Sequence, residues 1–178
     1  MIRHTYLAII LFTLVFNASA QSLTFSDYKL RECLPFWVGT KVEQIKTERP
    51  VYIDNSINPF YLETDFNGDA VLDIALFVKE KETNKNGILI IHGQSLEAYL
   101  IGAGENFAHV GDDLKFLEVW KVYRDKEVAL TVFSDEGDIE GNKTIKIALP
   151  AISVASSEGA SNLIIWEKDK YIWLHTGD

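Results

Sequence analysis

The sequence predicts a mainly β fold, an antiparallel sheet or meander of short strands with one short N-terminal helix. Short apolar and aromatic runs recur along the chain, and Gly, Asn and Asp turn signals separate them about every 8–12 residues. Only one segment has the spacing of a helix. No linker or low-complexity tract divides the 178 residues, a length that suits one domain.

The first twenty residues have the pattern of a secretory signal peptide. Arg3 precedes an apolar run over Leu7–Phe16, and Ala18–Ala20 has the A-x-A form of a cleavage site. We therefore expect an exported protein, periplasmic or secreted, with a signal peptide over 1–20 and a single β-rich domain over 21–178. The apolar run is shorter than the roughly 20 residues of a spanning helix, and no later segment is long and apolar enough. We expect no membrane span after signal removal.

The charge of the chain narrows the classes of partner. Residues 1–20 hold one charged residue, Arg3, so removing them changes the net charge from −9 to −10. Nucleic acid and anionic membrane surfaces are recognised through basic patches, so we expect neither as a partner. Cationic partners and divalent metal ions suit this charge.

The single helical pattern follows the cleavage site. Ser26 is a candidate cap, Leu30, Cys33 and Leu34 share one helical face, and Pro35 limits the helix. Cys33 is the only cysteine, so no intrachain disulfide forms. We expect a buried thiol that packs as a small apolar side chain, with a catalytic or intermolecular role as the alternative.

The clearest chemical signal is a hairpin over residues 60–78. Strand patterns over Phe60–Glu63 and Leu72–Val78 flank a loop, Asp65–Asp73, that reads D-F-N-G-D-A-V-L-D. Gly68 permits a sharp turn within the loop. The sequence therefore predicts two antiparallel strands with a polar loop at their tip.

The loop has the oxygen donors of a calcium site. Ca²⁺ takes about 6–8 oxygen ligands, and the loop contains no Cys or His that would favour zinc or copper. Side-chain oxygens alternate along the first half of the loop and recur at its end, and a backbone carbonyl lies between them. The predicted Ca²⁺ ligands are Asp65, Asn67, Asp69, Asp73 and the carbonyl of Val71.

The loop differs from an EF-hand, which requires Gly where Ala70 stands and Glu where Leu76 stands. D-F-N-G-D-A-V-L-D-I-A instead resembles the D-x-[DN]-G-D-G-x-x-D calcium loop of FG-GAP/VCBS-type repeats, over residues 60–78 only. The resemblance implies a Ca²⁺ loop between two antiparallel strands, with the ligands given above. Ala70 replaces the usual Gly of that family. If this position requires φ > 0, Ala costs about 1 kcal/mol relative to Gly.

An acidic turn that binds no metal is the alternative explanation of this loop. Asp, Asn and Gly are common turn residues for reasons unrelated to metals. The acidic segment 134–142 is expected to be a solvated loop, with a second, weak cation site as its alternative. The Gly-rich segment 102–107 lacks the third Gly of a dinucleotide loop, so we expect a structural turn there.

The rest of the chain is predicted as short strands joined by turns. Lys79–Gly87 is a predicted charged turn with Asn86-Gly87 as its turn pair, and Lys168-Asp169 is the predicted turn of a C-terminal hairpin. Trp166, Tyr171 and Trp173 alternate with aliphatic residues in that hairpin, which indicates sheet packing or, alternatively, an exposed aromatic face for a ligand. Further strands are predicted at 51–53, 88–92, 96–101, 116–123, 128–133, 143–149 and 152–156.

No catalytic motif accompanies these elements. The sequence contains neither H-E-x-x-H nor G-x-S-x-G. We therefore predict a non-catalytic exported module, stabilised by one Ca²⁺, that binds a protein or a glycan. The first alternative is an acidic periplasmic inhibitor or immunity-type protein of a basic envelope enzyme, since complementary charge speeds association. A hydrolase that uses a pair of carboxylates is less favoured.

Overall fold

The structure is a computed structural model, and it describes residues 25–159 and 161–177. The predicted signal peptide over 1–20 lies outside the described residues. The mainly β fold class is confirmed, because antiparallel sheets of short strands form most of the regular structure. Within the described ranges, no helix has the length and apolar character needed to cross a membrane.

Two helices precede the strands, α1 (Phe25–Glu32) and α2 (Phe36–Glu48). The next strands are β1 (Val51–Ile53), β2 (Tyr61–Thr64), β3 (Asp73–Glu80), β4 (Asn86–Ile91) and β5 (Ala98–Gly102). After a 3-10 turn at Ala108–Val110 come β6 (Val119–Tyr123), β7 (Glu127–Phe133) and β8 (Ile139–Lys146). The chain ends with β9 (Ala151–Ala155), β10 (Ser161–Glu167) and β11 (Lys170–Gly177).

The first sheet has five antiparallel strands centred on β3. Its order is β1-β3-β4-β5, and β2 pairs with the same edge of β3 as β1 does, further towards the N-terminus of β3. The register Thr64↔Asp73 closes the predicted hairpin directly at the loop. The 60–78 hairpin is therefore present, with its loop at the tip.

The second sheet has four antiparallel strands in the order β11-β10-β9-β6. The turn of its β10–β11 hairpin is Lys168-Asp169, and both residues have positive φ. A separate two-stranded hairpin, β7–β8, packs through β7 against β11. The predicted C-terminal hairpin and its turn are thus present.

The elements form four layers, and each of the three interfaces between neighbouring layers is an apolar cluster. The helices cover one face of the first sheet through Val38, Val42 and Ile45. The two sheets face each other across the largest core, which includes Phe77 and Trp120. The β7–β8 hairpin covers the outer face of the second sheet. Strand β3 lies at the centre, so both of its faces are buried, which explains its continuous apolar sequence.

Three local predictions require correction. Helix α2 was not predicted, although Val38, Val42 and Ile45 have the i, i+4, i+7 spacing of a buried helical face. The turn predicted over Lys79–Gly87 is present at 81–83, but Asn86-Gly87 starts β4 and is not its turn pair. The acidic segment 134–142 is shorter as a loop than expected, because β8 begins at Ile139.

Cys33 is exposed, so the prediction of a buried thiol is wrong. It lies just after α1, where the chain turns towards α2. The face of α1 that was expected to bury it instead leaves the sulfur accessible. Leu34, its neighbour, packs in the core beneath α2.

Candidate metal loop and its surroundings

The predicted metal ligands all lie in the loop that joins β2 to β3. Asp65 begins the loop and Asp73 is the first residue of β3. The carboxylate of Asp65 accepts hydrogen bonds from the backbone N–H of Gly68 at 2.6 Å and of Ala70 at 2.9 Å. Each oxygen of Asp65 thus holds one turn of the loop in place.

The middle of the loop is closed by two neighbouring side chains. The Asn67 oxygen accepts the backbone N–H of Asp69 at 3.0 Å, and one Asp69 oxygen accepts that of Val71 at 2.8 Å. The Asn67 amide also donates to the other Asp69 oxygen at 3.0 Å. These are Asx turns, in which a short polar side chain replaces a backbone acceptor.

Two residues of the loop occupy the left-handed region of the backbone. Gly68 has φ +85°, and Ala70 has φ +66°. Ala70 therefore occupies a position with positive φ, where Ala is less favourable than Gly. Ala70 therefore stores conformational strain of about 1 kcal/mol.

Asp73 joins the loop to the neighbouring strand. Its side chain is fully buried, and its two oxygens accept the backbone N–H groups of Phe66 and Gly93, each at 2.8 Å. A Cβ on Gly93 would lie 2.1 Å from the carbonyl oxygen of Leu72, so only glycine permits this approach. Asp73 thereby connects the loop to the end of β4.

The charge of Asp73 is incompletely balanced. Burial raises the pKa of its carboxyl group above the ordinary value, and the hydrogen bonds from Gly93 and Phe66 offset only part of this effect. Among the described residues, no salt bridge involves Asp65, Asp69 or Asp73. The loop therefore contains three carboxylates, and no basic side chain is bonded to any of them.

The loop provides only part of the coordination that a hard cation requires. An ionised carboxylate has about four acceptor sites, and those of Asp65, Asp69 and Asp73 each use two. However, no three His, Cys, Asp or Glu side chains of the described chain are grouped closely enough to hold a metal ion. The oxygen donors fit Ca²⁺, and the amide and carbonyl oxygens of Asn67 and Val71 would have to complete the set.

A buried aromatic cluster lies beside Asp73 and was not predicted from the sequence. The Nε2 atom of His92 is hydrogen-bonded to the Tyr171 hydroxyl at 2.8 Å, and both side chains are buried. Tyr99 and Trp166 pack against the His92 ring with centroids 4.8 Å away. Burial raises the pKa of Tyr171, and raises that of Tyr99 to about 12, so both hydroxyls stay protonated at neutral pH.

The three aromatic residues singled out in the sequence are therefore packing residues first. Tyr171 is buried, and Trp166 and Trp173 are partly buried against the core between the sheets. Trp173 nevertheless borders an open groove of about 380 Å³ on the surface. This groove shares no lining residue with the loop.

The other acidic segment is arranged differently. Asp135, Glu136, Asp138 and Glu140 are all exposed at the turn between β7 and β8. The expected solvated loop is present over 134–138, and Glu140 lies in β8. The Gly-rich segment at 102–107 is a turn at the end of β5, where Gly102, Ala103 and Gly104 have positive φ.

Comparison with protein-family models, with curated protein sequences and with solved structures gives no match to this chain.

Proposed function

We propose that this protein is a non-catalytic exported binding module whose β2–β3 loop takes one Ca²⁺. The observation that carries the proposal is the group of three aspartates in one nine-residue loop, one of them buried, with no basic side chain bonded to them. Asp73 is buried and Asp69 is part-buried, and both burial and the charge of Asp69 disfavour the ionised form of Asp73. A bound cation would offset both effects. The proposed ligands are Asp65, Asn67, Asp69, Asp73 and the carbonyl of Val71.

The proposed role of the ion is structural. The loop joins two strands of the central sheet, and Asp73 links it to β4. An ion bound only by the folded state adds stability by mass action, about 2.7 kcal/mol at 100 times its dissociation constant. For a domain of this size, that corresponds to a rise of about 5–10 °C in the unfolding midpoint.

Thermal unfolding of the purified protein with Ca²⁺, with Mg²⁺ and with a chelator tests the proposal. We expect Ca²⁺ to raise the midpoint and Mg²⁺ to do so much less, because Mg²⁺ demands a smaller, octahedral site. In Asp65→Ala the midpoint itself falls, since two loop N–H groups lose their acceptor. The decisive quantity is therefore the Ca²⁺-induced difference, which is the unfolding midpoint with Ca²⁺ minus the midpoint with chelator. This difference should vanish in Asp65→Ala.

Asp135→Ala is the matched control, because Asp135 is an exposed aspartate in the other acidic turn. It should leave the Ca²⁺-induced difference unchanged. Overlapping traces with Ca²⁺ and chelator in the unaltered protein would make the loop an ordinary acidic turn. An equal loss in both variants would place the ion elsewhere.

A second candidate function, an inhibitor or immunity-type protein of a basic enzyme, is favoured by the β7–β8 hairpin. Phe133 and Ile139, at the two sides of its turn, are 45% and 68% exposed. The acidic residues Asp135, Glu136 and Asp138 lie between them along the chain. Apolar side chains surrounded by acids suit insertion into a cleft with a basic rim.

Binding to a basic cell-wall hydrolase such as lysozyme, at low and high salt, tests this second function. The triple variant Asp135→Asn, Glu136→Gln, Asp138→Asn should lose binding. The triple variant Glu63→Gln, Glu82→Gln, Glu158→Gln removes the same charge from exposed positions elsewhere and should retain most of it. Equal losses would mean that only net charge matters, which would contradict a role of the hairpin.

A further inference from the structure

The open groove beside Trp173 has the composition of a small-molecule site. Its lining includes His109, Phe116, Ser156, Asn162, Trp173 and His175. These residues come from the β5–β6 connection and from the ends of β9, β10 and β11. A volume of about 380 Å³ lies at the lower end of the range of ligand sites, which is roughly 300–1,000 Å³. We call this surface the Trp173 groove.

The indole of Trp173 is held in one orientation. Three rings pack against it edge to face, those of Phe107, His109 and Phe116, with centroids 6.0–6.5 Å away. The indole N–H donates to the Asn162 oxygen at 3.1 Å. A ring held by three neighbouring rings and through its N–H needs little further ordering when a ligand binds, so less entropy is lost.

The same hydrogen bonds determine the tautomer of His175. The indole N–H is a donor only, so the Asn162 atom facing it is the amide oxygen. The Nδ1 atom of His175 lies 2.8 Å from that oxygen and must therefore donate to it. In the neutral imidazole, Nε2 is then an acceptor. Both His175 and Trp173 line the groove, so an imidazole of fixed tautomer lies next to an aromatic ring there.

No Asp, Glu, Lys or Arg side chain is found among the described residues that line the groove. Such a lining gives little attraction for a strongly charged ligand. Aromatic rings with hydroxyl, amide and imidazole groups instead suit a neutral ligand that has both apolar C–H faces and hydroxyl groups. Saccharides have this combination, because the axial C–H groups of a pyranose form an apolar face and its hydroxyls project around the rim.

We propose that the Trp173 groove binds a neutral saccharide, with Trp173 as the stacking platform and His175 Nε2 as an acceptor for a sugar hydroxyl. This inference rests on the proposed binding function and specifies its ligand class as glycan. It is independent of the calcium loop, since the two sites have no residue in common. The groove could therefore bind sugar whether or not the loop binds Ca²⁺.

Saturation-transfer NMR and tryptophan fluorescence, with neutral tetrasaccharides of N-acetylglucosamine, of β-linked glucose and of α-linked glucose, test the inference. We expect at least one of them to bind with a dissociation constant on the order of 1 mM. Trp173→Phe keeps a ring in the core and should weaken binding at least fivefold. His175→Ala should weaken it as well. Circular dichroism and the unfolding midpoint establish that each variant is folded.

Trp166→Phe is the matched control, because Trp166 belongs to the separate cluster around His92. It should bind as the unaltered protein does. Absence of binding by all three sugars at 10 times the expected constant, or equal weakening in Trp173→Phe and Trp166→Phe, would overturn the inference. Neither result affects the Ca²⁺-induced midpoint difference. The experiments therefore distinguish an absence of sugar binding by the groove from an absence of Ca²⁺ binding by the loop.

Discussion

The loop at residues 65–73 and the turn at residues 134–138 both join antiparallel strands, and both are rich in acidic residues. In the first, the carboxylates point inwards and accept backbone N–H groups of the loop. In the second, they are exposed, and the turn is closed by the Ser134 hydroxyl and by backbone hydrogen bonds. The same residue types thus have opposite roles.

The difference follows from the number of backbone groups that each connection leaves without a partner. The tight turn at 134–138 has two backbone hydrogen bonds of its own, Ser134 N–H to Asp138 and Gly137 N–H to Ser134. In the longer 65–73 loop, no backbone–backbone hydrogen bond of the described residues involves residues 65–72, and side-chain oxygens accept the loop N–H groups instead. Acidic composition alone therefore does not distinguish the two connections, whereas the groups that the carboxylates contact do.

The largest expected effect comes from Asp73→Ala compared with Asp138→Ala. Asp73→Ala leaves the N–H groups of Phe66 and Gly93 buried without an acceptor, so we expect a loss of about 3 kcal/mol in the free energy of unfolding. Asp138→Ala changes an exposed side chain and should cost less than about 0.5 kcal/mol. Urea unfolding of both variants measures the difference. Similar losses would contradict the distinction between inward and outward carboxylates.

Much of the fold could be predicted because local signals and tertiary structure agree in it. The hairpin at 60–78 and the hairpin turning at Lys168-Asp169 each combine two strand patterns with a suitable turn. The prediction that Asn86-Gly87 forms the turn pair was wrong. The backbone N–H groups of Ala103 and Leu114 both donate to the Asn86 carbonyl, and these bonds make the pair part of the sheet. Helix α2 was missed because polar and charged residues make up most of its second half, residues 40–48.

The candidate site was predictable only within its own segment. The spacing of Asp65, Asn67 and Asp69 indicates a loop closed by its own side chains, with or without a bound metal. The contact between Asp73 and Gly93, and that between His92 and Tyr171, join residues far apart in sequence. No pattern in a single sequence reports such pairs. The only local signal was Gly93 directly after an apolar strand, which is a position where close backbone approach is common.

Backbone strain offers a second, smaller test of the same comparison. Ala70 and Gly137 both have positive φ, at +66° and +91°, one in each acidic connection. Ala70→Gly should stabilise the protein by up to about 1 kcal/mol, and Gly137→Ala should destabilise it by about 1 kcal/mol. A Cβ at residue 137 would meet no atom within 4 Å, so that cost is conformational only.

Unfolding midpoints of the two variants check this pair of predictions. Ala70→Gly should also leave the Ca²⁺-induced midpoint difference in place, because Ala70 provides no proposed ligand. If Ala70→Gly destabilises the protein, then the conformational entropy that glycine adds to the unfolded chain outweighs the strain that it relieves in the folded state.

The smallest effect concerns pH, at a carboxylate outside the loop that is largely buried and has a cation beside it. Asp54 accepts hydrogen bonds from Ser56 and lies 2.6 Å from the Lys79 ammonium group. Burial acts to raise the pKa of Asp54, but the bonds from Lys79 and Ser56 outweigh it, and the pKa is lowered from 3.8. Because the folded state then binds the proton less readily than the unfolded state, this stabilisation is complete above pH 3.8. It is lost as the pH falls through the lowered pKa.

We therefore expect Asp54→Ala to cost about 0.5–1 kcal/mol at pH 7 and less at pH 2. Urea unfolding at both pH values, with Asp138→Ala as the control for an outward-facing aspartate, measures the change. If the cost of Asp54→Ala is the same at both pH values, the contribution of Asp54 is packing and not charge. A carboxylate that faces inwards with its own cation should thus lose its effect in acid, and this is the behaviour that bound Ca²⁺ would be expected to give the 65–73 loop.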